Sequence, residues 1–131
     1  MGIIDSRSPG EIVMPIGSRY VFMVSMDVAP EKEDLFNEVY DREHVPNLLE
    51  VPGVLAVTRA RSEPFALSIG GERKEMPAAS PRYTAIYELA SAEVLASEAW
   101  AQAVEAGRWP GEVRPFTTNR RHALARVIDP E

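Results

Sequence analysis

The stretch that decides the fold of this chain is Tyr40-Asp41-Arg42-Glu43-His44-Val45-Pro46, followed by Val51-Pro52-Gly53-Val54. It sets one of only two histidines near the end of an acidic amphipathic segment, two residues before a proline. Because a proline cannot donate to the carbonyl of Arg42 and clashes with it, a helix is expected to stop or kink near His44. If the chain has a reactive or ligand-binding site, we expect it here.

The residues on either side of this stretch predict the other elements. Residues 19–27 are aromatic and β-branched, which predicts a buried strand. Pro30 suits the first turn of a helix, and the acids that follow it favour the positive end of the helix dipole. The remaining patterns predict strands at 54–61, 82–89 and 121–128, a long hairpin connection at 62–81, a helix at 92–106 with Ser91 as its N-cap, and a loop at 108–119.

The predicted order β-α-β-β-α-β is the split-βαβ, ferredoxin-like arrangement of the α+β class, with one antiparallel sheet and two helices on one face. Neither alternating set of strand residues is fully polar, so the open sheet face is expected to associate with another copy of the chain. Residues 1–18, rich in Gly, Pro and Ser, are expected to form an N-terminal arm, and residues 19–131 one domain.

Composition excludes several classes of function. The chain has 131 residues and a net charge of −6, without the basic footprint of a nucleic-acid binder. It has no cysteine, which excludes disulfides, zinc-thiolate sites and thiol catalysis. No apolar run approaches the length of a membrane span, and no secretory signal pattern begins the chain, so the expected location is the cytoplasm.

The segment 29–54 resembles the EthD-like members of the dimeric α+β barrel superfamily. In that group a Tyr-Asp-x-x-His-x-Pro element ends the first helix and a Pro-Gly opens the second strand, and the third strand at 82–89 agrees. The resemblance implies a homodimer in which two sheets meet face to face. It also implies a small-ligand pocket between each sheet and its helices, and it associates His44 and Tyr40 with the family element.

Relatives of this fold include cofactor-free oxygenases, polyketide cyclases, lactone isomerases and haem-degrading enzymes, so three functions stay open. The first is a cofactor-independent isomerase, cyclase or monooxygenase acting on a small aromatic or polyketide-like substrate, with no cofactor of its own. The second is a non-catalytic homodimer that binds a small ligand or serves as a scaffold. The third is a haem-binding relative with His44 as the axial ligand.

Tyr40 and His44 are the candidate catalytic residues, because positions four apart share one face of a helix. His44 would act as general base and Tyr40 as its hydrogen-bond partner. Asp41 and Glu43 would raise the pKa of the imidazole if they lie close to it. The alternative is structural: His44 bonds a backbone carbonyl freed by Pro46 and organises the helix end.

Candidate ligand-binding residues are an arginine and four aromatic residues. Arg59 is a candidate charge clamp for a carboxylate or enolate, and its alternative role is an ion pair with an acid across a dimer interface. The aromatic candidates, for which plain core packing is the alternative, are Tyr83, Trp100, Trp109 and Phe116. His122 is expected to be exposed and without a role. The two histidines show no metal-ligand spacing, so no metal site is predicted.

Overall fold

A computed structural model describes residues 16–128 of the chain. Most of the predicted N-terminal arm, residues 1–15, lies outside the described residues, as do residues 129–131. Within the described part, no helix is long and apolar enough to cross a membrane.

Residues 16–128 form six strands and three short α-helices, joined by 3₁₀ and π-helical turns. The strands are β1 Tyr20–Val28, β2 Val54–Arg61, β3 Phe65–Ile69, β4 Glu72–Met76, β5 Tyr83–Leu89 and β6 Thr117–Arg126. The helices are α1 Glu33–Val39, α2 Val45–Leu49 and α3 Glu98–Ala103. The 3₁₀ turns cover Pro30–Lys32, Ala92–Ala96 and Arg114–Phe116, and the π-helical turns cover Tyr40–His44 and Trp109–Val113.

Four of the strands form one antiparallel sheet in the order β2-β5-β1-β6. This is the ferredoxin-like order, so the predicted fold class is confirmed. The helical segments cover one face of the sheet because their apolar sides meet the inward side chains of β1 and β5. That core includes Tyr87, Leu89, Phe36, Val39 and Leu48, all of them almost completely buried.

The predicted connection at 62–81 contains a second, two-stranded sheet, the hairpin of β3 and β4. Gly70 and Gly71 form its turn with positive φ angles of 61° and 82°, a conformation in which side chains are disfavoured. Its short strands are exposed and carry mixed charge without a clear alternation, so the sequence predicted only a long hairpin connection here.

The predicted helix at 92–106 is divided at Ser97. Ser97 has an extended backbone, and its hydroxyl accepts the Trp100 N–H at 3.1 Å, so Ser97 rather than Ser91 caps the α-helix. The segment before it is a 3₁₀ turn, Ala92–Ala96, whose first residue has no side-chain cap. A serine inside an alanine-rich run competes with the helix by bonding local backbone groups.

Two irregularities change which side chains of the sheet face the helices. The pairing of β2 with β5 shifts between Val54 and Ala56, and the pairing of β6 with β1 shifts near Asn119. Without these shifts, strict alternation along each strand would place Arg59 and His122 on the face opposite Tyr87. In the structure their cross-strand partners place both residues on the same face as Tyr87, since a bulge moves all later residues of a strand to the other face.

Candidate functional site

A cleft of about 380 Å³ lies between the sheet and the helical segments. Apolar and aromatic side chains form most of its wall, and a few polar groups converge on it, which is the usual composition of a small-molecule site. The apolar and aromatic lining residues are Phe22, Val24, Met26, Leu48, Tyr87, Trp100, Val104 and Trp109, and the polar lining residues are Tyr40, His44, Arg114, Arg120 and His122.

The π-helical turn Tyr40–His44 places His44 at the cleft. The Val45 N–H bonds the Tyr40 carbonyl five residues back, so this turn is wider than an α-helical turn. The wider turn lets the chain continue into α2 through Pro46, which an unbroken α-helix would not accommodate. The predicted interruption of the helix near His44 is therefore present, and its physical form is a π-bulge, a feature frequent at functional sites.

His44 is a buried, neutral imidazole. The residue is 5% exposed, and burial together with the nearby Arg114 cation lowers its pKa to about 4. Nδ1 is buried without a hydrogen-bond partner, so the expected bond to a freed carbonyl is absent at this atom. Between residues 16 and 128, no group of three His, Asp or Glu side chains is arranged to hold a metal ion.

Asp41 and Glu43 do not raise the pKa of His44, because each carboxylate binds an arginine elsewhere. Asp41 accepts from Arg59 at 2.6 Å, and Glu43 accepts from the Arg108 backbone N–H at 2.9 Å and from its Nε at 2.6 Å. The two bonds from Arg108 hold the pKa of Glu43 below its usual value. The acids therefore organise the surface of the helix and leave the imidazole to its apolar surroundings.

A second π-helical turn, Trp109–Val113, closes the cleft over His44. The Trp109 ring stacks on the imidazole with centroids 4.3 Å apart and planes 19° apart. Arg108 holds this turn against the first helical region by bonding both Glu43 and Glu38. The chain enters the turn at Gly107, which has a φ of +69° and lies so near Glu43 that a Cβ would come within 2.6 Å of its Oε1.

Tyr40 and Tyr87 form a buried pair of phenols beside the imidazole. Their hydroxyls are 3.2 Å apart, and the Tyr40 and His44 rings meet edge to face at 5.0 Å. Burial raises the pKa of Tyr40, and it raises the pKa of Tyr87 with a further contribution from the charge of Tyr40. Both phenols are therefore neutral at physiological pH, and one hydroxyl donates to the other.

The bulge at Asn119 directs two basic side chains toward the cleft from β6. Asn119 adopts a φ of +53°, which asparagine tolerates better than most residues, and its amide donates to Asp27 at 2.8 Å. The bulge places Arg120 and His122 among the lining residues. The His122 ring stacks on Phe22 with centroids 6.0 Å apart.

The structure brings together some of the residues singled out in the sequence and separates others. His44, Tyr40, Trp100 and Trp109 all line the cleft. Three predicted ligand-binding residues, Arg59, Tyr83 and Phe116, are not among its lining residues.

Arg59 is occupied within its own chain. It donates to Asp41 and, at 2.8 Å, to Asn37, and its guanidinium lies 4.5 Å from the centre of the Tyr40 ring. The predicted interface pair is thus replaced by a bond inside the subunit. Tyr83 donates to Glu33, and Phe116 packs under the Lys32 ammonium at 4.4 Å from the ring centre.

Sequence reasoning missed five lining residues in particular. Phe22 and Tyr87 have the pattern of ordinary strand aromatics, and Arg114 and Arg120 have that of surface charges. His122 is exposed, as predicted, yet it lines the cleft. Phe22 and Tyr87 carry no local signal in the sequence that distinguishes the wall of a cleft from an ordinary core. Arg120 and His122 face the cleft because of the bulge in β6, and the only hint of it in the sequence is Asn119 within a strand pattern.

The fold has known relatives among solved structures. Two structures of the haem-degrading protein MhuD, one from Mycobacterium tuberculosis with two haems bound and one a mutant with two manganese protoporphyrin IX molecules bound per active site, match 86% of this chain. Their sequences are 19% and 17% identical to this chain, the match spans 98% and 97% of their own length, and the TM-scores are 0.52 and 0.56. An EthD family protein from Bacillus halodurans is 16% identical over 83% of this chain and 99% of its own, with a TM-score of 0.44.

No family model and no curated protein matches the sequence. At these levels of identity the MhuD structures define the fold of this chain and leave its chemistry open. The chain has the ferredoxin-like α+β fold that its sequence predicted, and it shares this fold with the MhuD structures.

Proposed function

We propose that the cleft binds a small, largely apolar molecule and that His44 accepts a proton from it, in a cofactor-independent isomerisation or cyclisation. The observation that carries this proposal is the state of His44: a neutral imidazole, stacked on Trp109, at the wall of a cleft. A base must be unprotonated before it reacts, and a pKa of about 4 keeps this ring unprotonated at pH 7.

The low pKa also restricts the substrate. A weak base removes protons efficiently only from an acidic C–H group, such as the carbon between two carbonyls of a polyketide-like molecule. The C–H bond breaks and its proton goes to His44. The C–H electron pair forms a C=C bond, and the π pair of the neighbouring carbonyl moves to its oxygen, which gives an enolate. Arg114 lies near enough to lower the pKa of His44, and its cation would stabilise the enolate oxygen that forms.

Hydrogen–deuterium exchange of benzoylacetone, an aromatic 1,3-diketone, tests this proposal. NMR in D₂O follows exchange at its central carbon with the wild-type protein, with His44→Phe and with Arg73→Gln. Arg73 lies on the exposed β3–β4 hairpin and serves as the control. We expect acceleration by the wild type and the control, and roughly 100-fold less by His44→Phe, the usual contribution of a general base. Equal exchange in His44→Phe would refute the role of His44.

Haem is the second candidate ligand, because both MhuD structures of this fold hold a porphyrin. The residues fit in part: His44 is neutral, as a metal ligand must be, and the cleft is aromatic. They differ in that Nδ1 has no acceptor, whereas metal-bound histidines nearly always donate their other N–H. Titration with haemin tests it. A shift of the Soret band that His44→Phe abolishes would support haem as the ligand. An unchanged haemin spectrum with the wild-type protein would reject haem as the ligand.

We also propose that two copies pair through the sheet face that the helices leave open. An apolar face of this kind favours association, and Leu55 on it is 57% exposed. Light scattering after size-exclusion chromatography should give a dimer that Ile86→Glu, on this face, dissociates. Leu49→Glu, an equally drastic change at an exposed position of α2, should leave the dimer intact. A wild-type monomer at micromolar concentration would contradict this proposal.

A further inference from the structure

We infer that the molecule bound in the cleft is a planar aromatic acid whose carboxylate lies at Arg120 and His122 of β6. This inference rests on the cleft being the ligand site, as proposed above, and it adds the chemical class and the orientation of the ligand. It does not depend on His44 being a base.

Charge is sorted between the cleft and the rest of the molecule. The chain carries 20 acidic and 14 basic residues. Yet the 13 residues that line the cleft include two arginines and two histidines, and no aspartate or glutamate. Arg120 and His122 are exposed at the edge of the cleft, and a cleft with apolar walls that presents only one sign of charge concentrates ligands of the opposite sign, here anions.

The two arginines differ in how many of their N–H donors already have a partner among the described residues. Arg114 donates to both carboxylate oxygens of Glu105 and to the Val104 carbonyl, so most of its donors are committed. Arg120 forms no ion pair with any acidic residue of the described chain. A guanidinium with open donors is the group that binds a carboxylate through two parallel hydrogen bonds. Arg120 is therefore the cation available to a ligand.

A specific backbone device directs Arg120 to this position. At the bulge, two residues of β6, Asn119 and Arg120, lie opposite the single residue Met26 of β1. The left-handed conformation of Asn119 carries a cost, and Asp27 offsets it by accepting the Asn119 amide. Bulges next to sites often serve to redirect a side chain. Here the bulge brings Arg120 to the same side of the sheet as His122, two positions further on.

The walls beside these basic groups suit a flat ring. Phe22 lies within 6.0 Å of three other rings by centroid distance: the stacked His122 ring at 6.0 Å, Tyr87 at 5.9 Å and Trp100 at 5.8 Å. Tyr87 and Trp100 meet edge to face at 5.5 Å. An aromatic ligand whose carboxylate is held at β6 would lie along these rings. Its far end would then point toward His44, where the proposed proton transfer takes place.

The test compares two probes that differ only in charge, 2-naphthoate and the neutral 2-naphthamide. Isothermal titration measures their binding to the wild type, Arg120→Gln, Arg120→Lys and the control Arg73→Gln. We expect the wild type to bind the acid at least tenfold more tightly than the amide. Arg120→Gln should remove that preference without weakening the amide, Arg120→Lys should restore part of it, and Arg73→Gln should behave as wild type.

Equal binding of acid and amide by the wild type would overturn the inference, as would an undiminished preference in Arg120→Gln or binding of neither probe at millimolar concentration. His44→Phe separates this inference from the proposed reaction. If it still binds the acid in preference to the amide but the wild type does not accelerate benzoylacetone exchange, the ligand class stands and the reaction falls. If benzoylacetone exchange depends on His44 while the protein does not prefer the acid to the amide, the reaction stands and the ligand class falls.

Discussion

The burial of a neutral His44 should make the stability of the protein depend on pH between about 6.5 and 4. Above pH 6.5 the imidazole is neutral in both the folded and the unfolded chain, so it contributes no pH dependence. As the pH falls below 6.5, the unfolded chain takes up a proton that the folded chain does not accept until about pH 4. Stability is therefore lost as the pH falls through this window.

The size of the effect follows from the two pKa values. An unperturbed histidine titrates at 6.5 and folded His44 at about 4. Since each pKa unit corresponds to about 1.4 kcal/mol, the free energy of unfolding should fall by about 3 kcal/mol across the window. The cause is burial first and the Arg114 charge second, so a variant without a titratable group at this position should lack this loss.

Urea unfolding followed by tryptophan fluorescence, at a series of pH values from about 7.5 to 4.5, measures the effect. The wild type is compared with His44→Phe, which keeps a ring beside Trp109, and with His44→Gln as a second variant. His122→Gln removes the other histidine of the chain and should leave the wild-type slope. Carboxylates such as Glu43 also lose stabilising bonds at low pH, but they do so in every variant and cancel in the difference.

A parallel pH dependence in the wild type and in both His44 variants would refute the reasoning. It would mean that the folded protein accepts a proton at His44 as readily as the unfolded chain does. A loss of the pH dependence in His122→Gln alone would show that it belongs to His122 and not to His44.

Three further predictions concern stability and are measured by urea unfolding at pH 7. Gly107→Ala should cost about 1–2 kcal/mol, because an alanine is strained at φ +69° and its Cβ displaces the Glu43 carboxylate; an unchanged midpoint would contradict the close contact. Tyr87→Phe should cost about 1–3 kcal/mol by leaving the buried Tyr40 hydroxyl unpaired, and the double variant with Tyr40→Phe should recover much of the loss. Phe36→Ala should cost about 3–5 kcal/mol, since Phe36 is completely buried among rings; a loss below 1 kcal/mol would place it outside the core.

Much of the fold was predictable because its main strands carry strong local patterns. The bounds of β2 were predicted to the residue and those of β1 and β5 to within one. The bounds of β6 were not predicted, since this strand covers Thr117–Arg126 instead of 121–128 and takes in the end of the predicted loop, and two other differences have local causes. The hairpin of β3 and β4 is so exposed that burial imposes no alternation of apolar and polar residues on it. Ser97 divides the predicted helix, because it caps the start of α3 and so separates it from the residues before.

The site was predictable only where a residue breaks a pattern. Pro46 interrupts a helix and thereby drew attention to His44, which does lie at the cleft. Nothing in the chain marks Arg120 as a cleft residue, since alternation along β6 depends on a bulge that forms only against β1. Nor does the sequence reveal that Glu43 turns to Arg108, because 65 positions separate the two partners.

The sequence by itself determined the order of the core strands and helices, the kink at Pro46 and the chemical type of each candidate residue. These follow from forces that act within a few residues: hydrophobic periodicity, the missing proline donor and the preference of glycine for turns. The tertiary structure alone decided which residues meet. The pKa of His44 is low because distant segments bury it, and Arg120 faces the cleft because β1 holds a bulge in β6. Burial and register are properties of contacts between segments far apart in the chain, so no local pattern carries them.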